Sequence, residues 1–151
     1  MRKTICGILI AATTILTTMT LASCDIETSS AAGDFNGMWH LTRVDTIATG
    51  GVLDLKKEKI YWAFQYKLMQ ADDKNEKHPK ILMRFNQTNT QLTLHTPYCY
   101  DRENGDVPLS DPTLLAPYGI NKLEENFQVI KLTGSKMVLQ SETLKLTFKG
   151  F

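Results

Sequence analysis

From residue 37 onward, large apolar residues recur at every second position in short runs that polar residues separate. The clearest run covers residues 59–70, where one side of an extended chain would carry Ile60, Trp62, Phe64, Tyr66 and Leu68. A helix would scatter these side chains around its axis, whereas a strand places alternate residues on one face. The pattern therefore predicts a β-strand over residues 59–70, with Met69 on its polar face. One apolar face and one polar face are typical of an antiparallel sheet with one covered side.

The same alternation predicts six more strands, joined by short polar turns in the manner of a meander. They cover residues 39–47, 81–86, 92–95, 127–132, 137–140 and 144–149. The residues expected to face inward on these strands are Trp39, Leu41, Met83, Phe85, Leu92, Leu94, Phe127, Val129, Met137, Leu139, Leu144, Leu146 and Phe148. No helix of standard length is needed, so the fold class predicted here is all-β: one antiparallel up-and-down sheet of seven or eight strands.

A long irregular segment, residues 97–125, interrupts the meander. It contains four of the five prolines, and it also carries Tyr98, Tyr100 and Tyr118. A segment of this length inside a compact domain is usually a lid, a compact surface loop or a hidden short strand. The sequence leaves open whether residues 97–125 form a packed surface loop, gate a ligand or supply an eighth strand.

The first 23 residues predict a targeting segment. Arg2 and Lys3 give a positive start, an uncharged apolar and threonine-rich stretch covers residues 5–21, and the small residue Ser23 precedes Cys24. This order is that of a secretory signal peptide. The tetrapeptide Leu21-Ala22-Ser23-Cys24 resembles the lipobox of bacterial lipoproteins. That resemblance implies cleavage before Cys24 and attachment of a diacylglycerol, and usually an N-acyl chain, to this cysteine.

The lipobox sets the expected compartment and domain organisation. Residues 1–23 are interpreted as signal peptide, residues 24–34 as a flexible tether rich in small and polar residues, and residues 35–151 as one domain. We expect the protein in the cell envelope, held by its lipid in the outer membrane; Asp25 does not decide between inner and outer membrane or between the two faces. Cys99 is then the one cysteine left, because Cys6 leaves with the signal and Cys24 is acylated, so no intrachain disulfide is expected.

Composition excludes several function classes. The formal net charge is +1, and no basic stripe interleaves with aromatic residues, so nucleic acid is not an expected partner. His40, His78 and His95 follow no metal-ligand spacing, and phosphate-binding, redox and nucleophile motifs do not occur. We therefore predict no metal, no cofactor, no catalytic residue and no enzymatic activity.

A family resemblance rests on the two ends of the domain. Gly37-Met38-Trp39 opens the first strand, and two amphipathic strands over residues 136–148 close the chain. This arrangement resembles the lipocalin-like (calycin) barrels, and most closely the lipocalin-like lipoproteins of Gram-negative bacteria, over residues 35–151. The resemblance implies a closed barrel in which Trp39 plugs one end beneath a basic residue near the last strand, here Lys145 or Lys149.

Two functions follow from such a barrel. The first is binding of a small apolar or amphipathic ligand in the barrel or at its mouth. The candidate ligand-binding residues are Trp62, Phe64, Tyr66, Met83, Phe85, Tyr98, Tyr100 and Tyr118. The alternative is a filled barrel that serves as an interaction or scaffold module of an envelope complex and acts through residues 97–125. The many large inward residues leave both open, because about eight strands enclose a space that side chains fill or that holds one small ligand.

Overall fold

The structure is a computed structural model that describes residues 31–151. The predicted signal peptide, Cys24 and the first part of the tether lie outside the described residues. Ten strands form one antiparallel sheet, and two short 3₁₀-helices cover Gly33–Phe35 and Pro112–Tyr118. The strands are β1 Gly37–Thr46, β2 Val52–Asp54, β3 Ile60–Gln65, β4 Leu68–Asp73, β5 Ile81–Gln87, β6 Gln91–Cys99, β7 Val107–Pro108, β8 Glu125–Thr133, β9 Lys136–Gln140 and β10 Leu144–Gly150.

Eight of these strands close into a barrel. The hydrogen-bonded order is β10-β9-β8-β6-β5-β4-β3-β1, and β1 pairs back onto β10 from Trp39↔Gly150 to Thr46↔Leu144. The two remaining strands are additions: β2 pairs with the second half of β1, and β7 pairs with the end of β6. The predicted all-β, antiparallel up-and-down barrel is confirmed. Closure pairs the edges of the sheet with each other, which removes the exposed edges that lead to aggregation.

The single strand predicted over residues 59–70 is wrong, because the structure folds this run into the hairpin β3–β4. Tyr66 and Lys67 form the turn, and Tyr66 has a φ of 54°, in the left-handed region. Phe64 is then directly opposite Met69, so both side chains share the inner face. As a result Met69 is fully buried and Leu68 is exposed, the reverse of the prediction. The eighth strand of the barrel comes from this split and not from residues 97–125.

The domain begins earlier than predicted. Residues 31–34, assigned above to the flexible tether, pack on the barrel: Ala32 is fully buried, and the Gln87 side-chain amide donates a hydrogen bond to the Ala31 carbonyl at 3.0 Å. The physical reason is that the 3₁₀-helix Gly33–Phe35 turns the chain so that Phe35 enters the core. We call the end of the barrel where this helix lies the chain-entry end. The opposite end, where residues 97–125 leave the barrel, is the far end.

Trp39 closes the chain-entry end, but without a lysine above it. Its indole N–H donates to the Phe35 carbonyl at 2.7 Å. The neighbouring position on the last strand is Gly150, where an added Cβ would lie 3.1 Å from the indole and 2.6 Å from the Gly134 carbonyl. Within residues 31–151, the cation–aromatic contacts involve the ring of Tyr100 and not that of Trp39. The expectation that Lys145 or Lys149 stacks on Trp39 is therefore wrong, because β10 brings the bare backbone of Gly150 to the indole.

Candidate functional site

Four of the eight candidate ligand-binding residues meet inside the barrel. Trp62 and Phe64 on β3 and Met83 and Phe85 on β5 are all buried, with at most 5% of the side chain exposed. The rings of Phe64 and Phe85 meet edge to face with centroids 5.2 Å apart, and those of Trp62 and Phe64 are 6.2 Å apart. These are the separations of packed aromatic pairs. The four residues therefore contact one another and their neighbours.

Side chains fill the interior around Trp62. The Trp62 ring lies 4.8 Å from Phe148 and 5.8 Å from Phe127, and Phe35 lies 5.4 Å from Phe64 at the chain-entry end. Three larger depressions, of about 380, 540 and 590 Å³, lie at the surface of the described chain. Rim and outer-wall residues make up most of their lining, and neither Trp62 nor Phe127 belongs to it. Space of the size that small-molecule sites use is therefore found outside the barrel in this structure.

Part of the long segment at residues 97–125 closes the far end of the barrel. The 3₁₀-helix Pro112–Tyr118 begins at Asp111, whose carboxylate accepts the Thr113 backbone N–H at 2.9 Å. This helix and its flanks, residues 109–120, place four apolar side chains in the core, and we call this segment the plug. Its buried members are Leu109, Leu115, Tyr118 and Ile120. Of the alternatives that the sequence left open, residues 97–125 do not form an open lid in this structure, because part of the segment packs into the core.

Tyr118 connects the plug to the barrel through both its backbone carbonyl and its side-chain hydroxyl. Its backbone carbonyl accepts the indole N–H of Trp62 at 3.1 Å, and its hydroxyl donates to the Pro79 carbonyl at 2.6 Å. Burial raises the pKa of the Tyr118 hydroxyl, and the nearby carboxylates of Asp73 and Asp72 raise it further. The hydroxyl therefore stays neutral and keeps donating at physiological pH. Among the eight candidates, Tyr118 is the one that the plug places in the core.

Sequence analysis missed three buried carboxyl residues, which are Asp72, Asp73 and Glu125. Asp73 ends β4 and accepts the backbone N–H groups of Asn75 and Lys77 at 2.8 and 3.2 Å. Glu125 begins β8 and accepts the Asn121 backbone N–H at 2.6 Å, while burial raises its pKa. Period-two counting from the inward residue Phe127 places Glu125 on the inner face. That signal was present in the sequence, but it lay one step beyond the predicted strand.

The other three candidates lie apart from this cluster. Tyr66 is 47% exposed in the β3–β4 turn at the chain-entry end, so its predicted inward position is wrong. Tyr98 is half-buried on β6, opposite Leu82 and Pro108. Tyr100 is half-buried, with the Lys80 ammonium 4.9 Å and the Arg102 guanidinium 5.6 Å from its ring centroid. The structure therefore brings together five of the eight predicted residues and separates three.

The histidines remain separate in the fold. His40 bonds to the Glu58 carbonyl at 2.6 Å, His95 bonds to Asn86 at 3.2 Å, and His78 lies beside the ring of Tyr118. Over residues 31–151, no group of three or more His, Cys, Asp or Glu side chains is placed to hold a metal ion. In the same part of the chain, no helix has the length and apolar character needed to cross a bilayer.

Comparison with known proteins identifies the family to which this closed barrel belongs. The sequence profile of the lipocalin-like domain matches residues 19–151, so the chain belongs to the lipocalin-like domain family. A comparison with curated protein sequences gave no match.

Two solved structures share the fold. The crystal structure of a lipocalin-like protein from Bacteroides uniformis aligns with a TM-score of 0.59 and 19% identity, over 79% of this chain and 100% of that chain. The crystal structure of an uncharacterized protein from Bacteroides eggerthii aligns with a TM-score of 0.55 and 17% identity, over 78% of this chain and 99% of that chain. At these identities the likeness establishes the architecture and not a shared ligand.

Proposed function

We propose that this protein is a non-catalytic interaction module of the bacterial cell envelope, anchored in the outer membrane through lipid on Cys24. In this proposal the filled barrel is a rigid scaffold, and residues 97–125 recognise an envelope protein at the far end. The observation that carries it is the occupied interior: five of the eight candidate ligand-binding residues lie together in the core, and one of them, Tyr118, closes the far end.

The outer surface of residues 97–125 has the chemistry of a recognition surface. Val107 and Leu114 are exposed apolar residues, and the acidic side chains near them are Asp101, Glu103, Asp106 and Asp111. The tip is fixed, because the Asp101 carboxylate accepts the backbone N–H groups of Glu103 and Asn104 at 3.0 and 3.1 Å. A surface held in place before binding loses less conformational entropy on association. Its charge favours a partner with basic groups around an apolar contact.

Crosslinking in cells tests the partner surface. We would place a photoreactive amino acid at Leu114 on the plug or at Ile130 on the outer wall of β8, two apolar positions that are both exposed. The proposal expects a specific crosslinked protein from position 114 and not from position 130. Equal crosslinking from both positions, or none from position 114, would contradict it. Deleting residues 97–125 is a poor test, because it would remove Tyr118 and leave the Trp62 indole N–H without its acceptor.

The lipid anchor is tested separately. Metabolic labelling with an alkyne fatty acid should mark the protein, and Cys24→Ala should abolish the label. A second form tests the anchor by fractionation. In it, an ordinary cleavable signal peptide replaces the first 23 residues and Cys24→Ala removes the lipidation site. This form should leave the membrane fraction. Fatty-acid labelling that persists in Cys24→Ala would rule out the anchor at this cysteine. Density separation of the membranes then shows whether the native form sits in the outer membrane.

A second candidate, binding of a small apolar ligand at the far end, is favoured by one observation. Tyr118 reaches the Trp62 indole from a loop and not from a barrel strand, so a ligand that displaced the plug would find an apolar pocket with one N–H donor. Mass spectrometry of the natively purified protein would detect such a ligand. If this candidate is right, Tyr118→Ala should bind an apolar fluorophore more tightly than Tyr118→Phe does. If neither variant nor the native protein binds the fluorophore, ligand binding at the far end is excluded and the interaction module is the function that is left.

A further inference from the structure

We propose that the chain-entry end of the barrel docks on an anionic lipid bilayer and thereby holds the far end, with residues 97–125, away from the membrane. This inference rests on the proposed lipid anchor. The docking surface consists of the 3₁₀-helix at residues 33–35, the β3–β4, β5–β6 and β8–β9 turns with the residues beside them, and the end of β10.

Contacts join these parts into one continuous surface. One shallow groove is shared by the helix at residues 33–35, the β5–β6 turn and residues 129–132 of β8. A second joins residues 36–38 to the β3–β4 turn. The backbone N–H of Gly150 bonds to the Ser135 carbonyl at 2.9 Å, and that of Phe151 bonds to the Met38 carbonyl at 3.2 Å. The turns and strand ends of this end of the barrel therefore form one face.

The charge of this face is one-sided. Its basic residues are Lys67, Arg84, Lys131, Lys136 and Lys149, and its one acidic residue is Asp34. None of these five forms an ion pair with another residue in the range 31–151. The far end instead carries many carboxylates, and some of them pair with lysines, as in Lys122–Glu142 at 2.7 Å and Lys77–Glu58 at 3.1 Å. Unpaired cations on one face are available to anionic headgroups, and each strengthens binding roughly five-fold.

Exposed apolar and aromatic side chains stand among these cations. They are Met38, Tyr66, Leu68, Ile130 and Phe151, with exposures from 42% to 75%. Tyr66, at the tip of the β3–β4 turn, has the apolar body and polar hydroxyl that suit the headgroup region of a bilayer. The other exposed apolar residues of the described chain, such as Val107, lie at the far end among carboxylates. An anionic bilayer would repel those carboxylates, so charge distinguishes the two ends where apolar exposure does not.

The chain that leads to the anchor leaves from the same face. Ala31 is held there by its hydrogen bond from Gln87, and seven peptide steps separate it from Cys24. Seven fully extended residues span at most about 25 Å. A strand of ten residues, such as β1, is already about 33 Å long, so the tether is too short to run along the barrel to the far end. The anchor therefore keeps the basic face next to the bilayer.

Depth-dependent quenching tests this orientation on the purified lipidated protein. In a Cys99→Ser background, one fluorophore is attached at Asn89→Cys in the β5–β6 turn or at Ser110→Cys in the plug; both positions are exposed. The protein is reconstituted into vesicles of phosphatidylcholine alone or with 30% phosphatidylglycerol, each containing a lipid-bound quencher, at roughly 0.05 and 0.5 M salt. We expect strong quenching at position 89 and weak quenching at position 110, greater with the anionic lipid and reduced by salt.

A matched pair of charge reversals provides the control. Lys131→Glu with Lys136→Glu should lower the ratio of docked to undocked protein at least about tenfold, because two attractive charges become repulsive. Lys77→Glu with Lys122→Glu makes the same change in net charge at the far end and should leave the quenching unchanged. Equal quenching at positions 89 and 110, or equal effects of the two reversals, would overturn the docking face. Failure of the protein to associate with either vesicle would instead contradict the lipid anchor, so the two failures are distinguishable.

Discussion

At the scale of single residues, position in the barrel decides what a side chain does. Tyr66 and Tyr118 are the same residue type, yet Tyr66 is exposed in a tight turn and Tyr118 is fully buried with its hydroxyl bonded to Pro79. Glu125 is a carboxyl group at an inward position, where burial raises its pKa and the Asn121 N–H partly compensates. Each of these environments predicts a measurable consequence.

Glu125→Gln should change how stability depends on pH. The pKa of Glu125 is raised in the folded protein, so the group favours folding below its ordinary pKa near 4.5, and this advantage is lost as pH rises through the folded value. The stability of the native protein relative to Glu125→Gln should therefore fall as pH rises from about 4 towards 7. Urea unfolding of both proteins over this range measures it. Carboxyls with lowered pKa values, such as Asp45 and Asp101, are common to both proteins and cancel in the difference. Parallel pH profiles would refute the assignment.

Tyr66→Asn should stabilise the protein in solution by about 1 kcal/mol. Tyr66 has a φ of 54°, which costs an ordinary L-residue about 1–2 kcal/mol, and asparagine adopts this conformation more readily. Little burial is lost, because the side chain is already half exposed. Thermal unfolding measures the gain. Lys67→Asn at the next turn position, where φ is not positive, is the control and should give no comparable stabilisation.

At the scale of elements, the barrel depends on two features that interrupt the strands: the β3–β4 turn and the plug. The turn makes two strands from one apolar run, which supplies the strand needed for closure. The 3₁₀-helix of the plug is capped by Gly119, which has a φ of 79° and lies against β10, where an added Cβ would be 2.7 Å from Leu146 Cδ2. Only glycine combines that backbone conformation with so close an approach.

Gly119→Ala should destabilise the protein by about 2–4 kcal/mol. About 1 kcal/mol is expected from the left-handed backbone and the remainder from the clash with Leu146. Gly105→Ala is a matched control, because Gly105 has a φ of 88° but open space around its Cα, so its cost should be about 1 kcal/mol. Urea denaturation of the two variants separates the cost of the left-handed backbone from the cost of the clash with Leu146. Equal destabilisation would show that the plug does not press on β10.

At the scale of the whole molecule, the barrel is a closed wall around a packed core, with opposite ends of different chemistry. Trp62 contacts Phe127 and Phe148 across the interior and donates to the plug, so the core and the far-end stopper form one unit. The chain-entry end carries cations outside ion pairs of the described chain, and the far end carries many carboxylates, some of them paired with lysines. The proposed orientation on a membrane depends on this difference in charge between the two ends.

Phe127→Ala should cost about 3–5 kcal/mol, because it removes a fully buried ring that packs against Trp62 and leaves a cavity. Ile130→Ala on the same strand changes an exposed residue and should cost less than about 1 kcal/mol. Chemical denaturation of both variants measures the difference. A cost for Phe127→Ala as small as that of Ile130→Ala would show that the interior is not packed as described.

Alternation along the chain was enough to predict the fold class, most strand positions and most inward residues. Period-two alternation is a local property, since adjacent side chains on a strand point to opposite faces whatever lies beyond them. That is why residues such as Trp62, Met83, Phe127 and Leu146 were placed correctly on the inner face.

The β3–β4 turn, the plug and the filling of the interior depend on contacts between separate strands and segments of the fold. The run from Ile60 to Leu68 contains no glycine or proline that would signal a turn. The turn is defined instead by the pairing of Phe64 with Met69 across the hairpin. Tyr118 and Gly119 are likewise defined by contacts with Trp62 and Leu146, more than 25 positions away in the chain. Whether large inward side chains fill a barrel or surround a ligand depends on how they meet across it, which alternation along one strand does not encode.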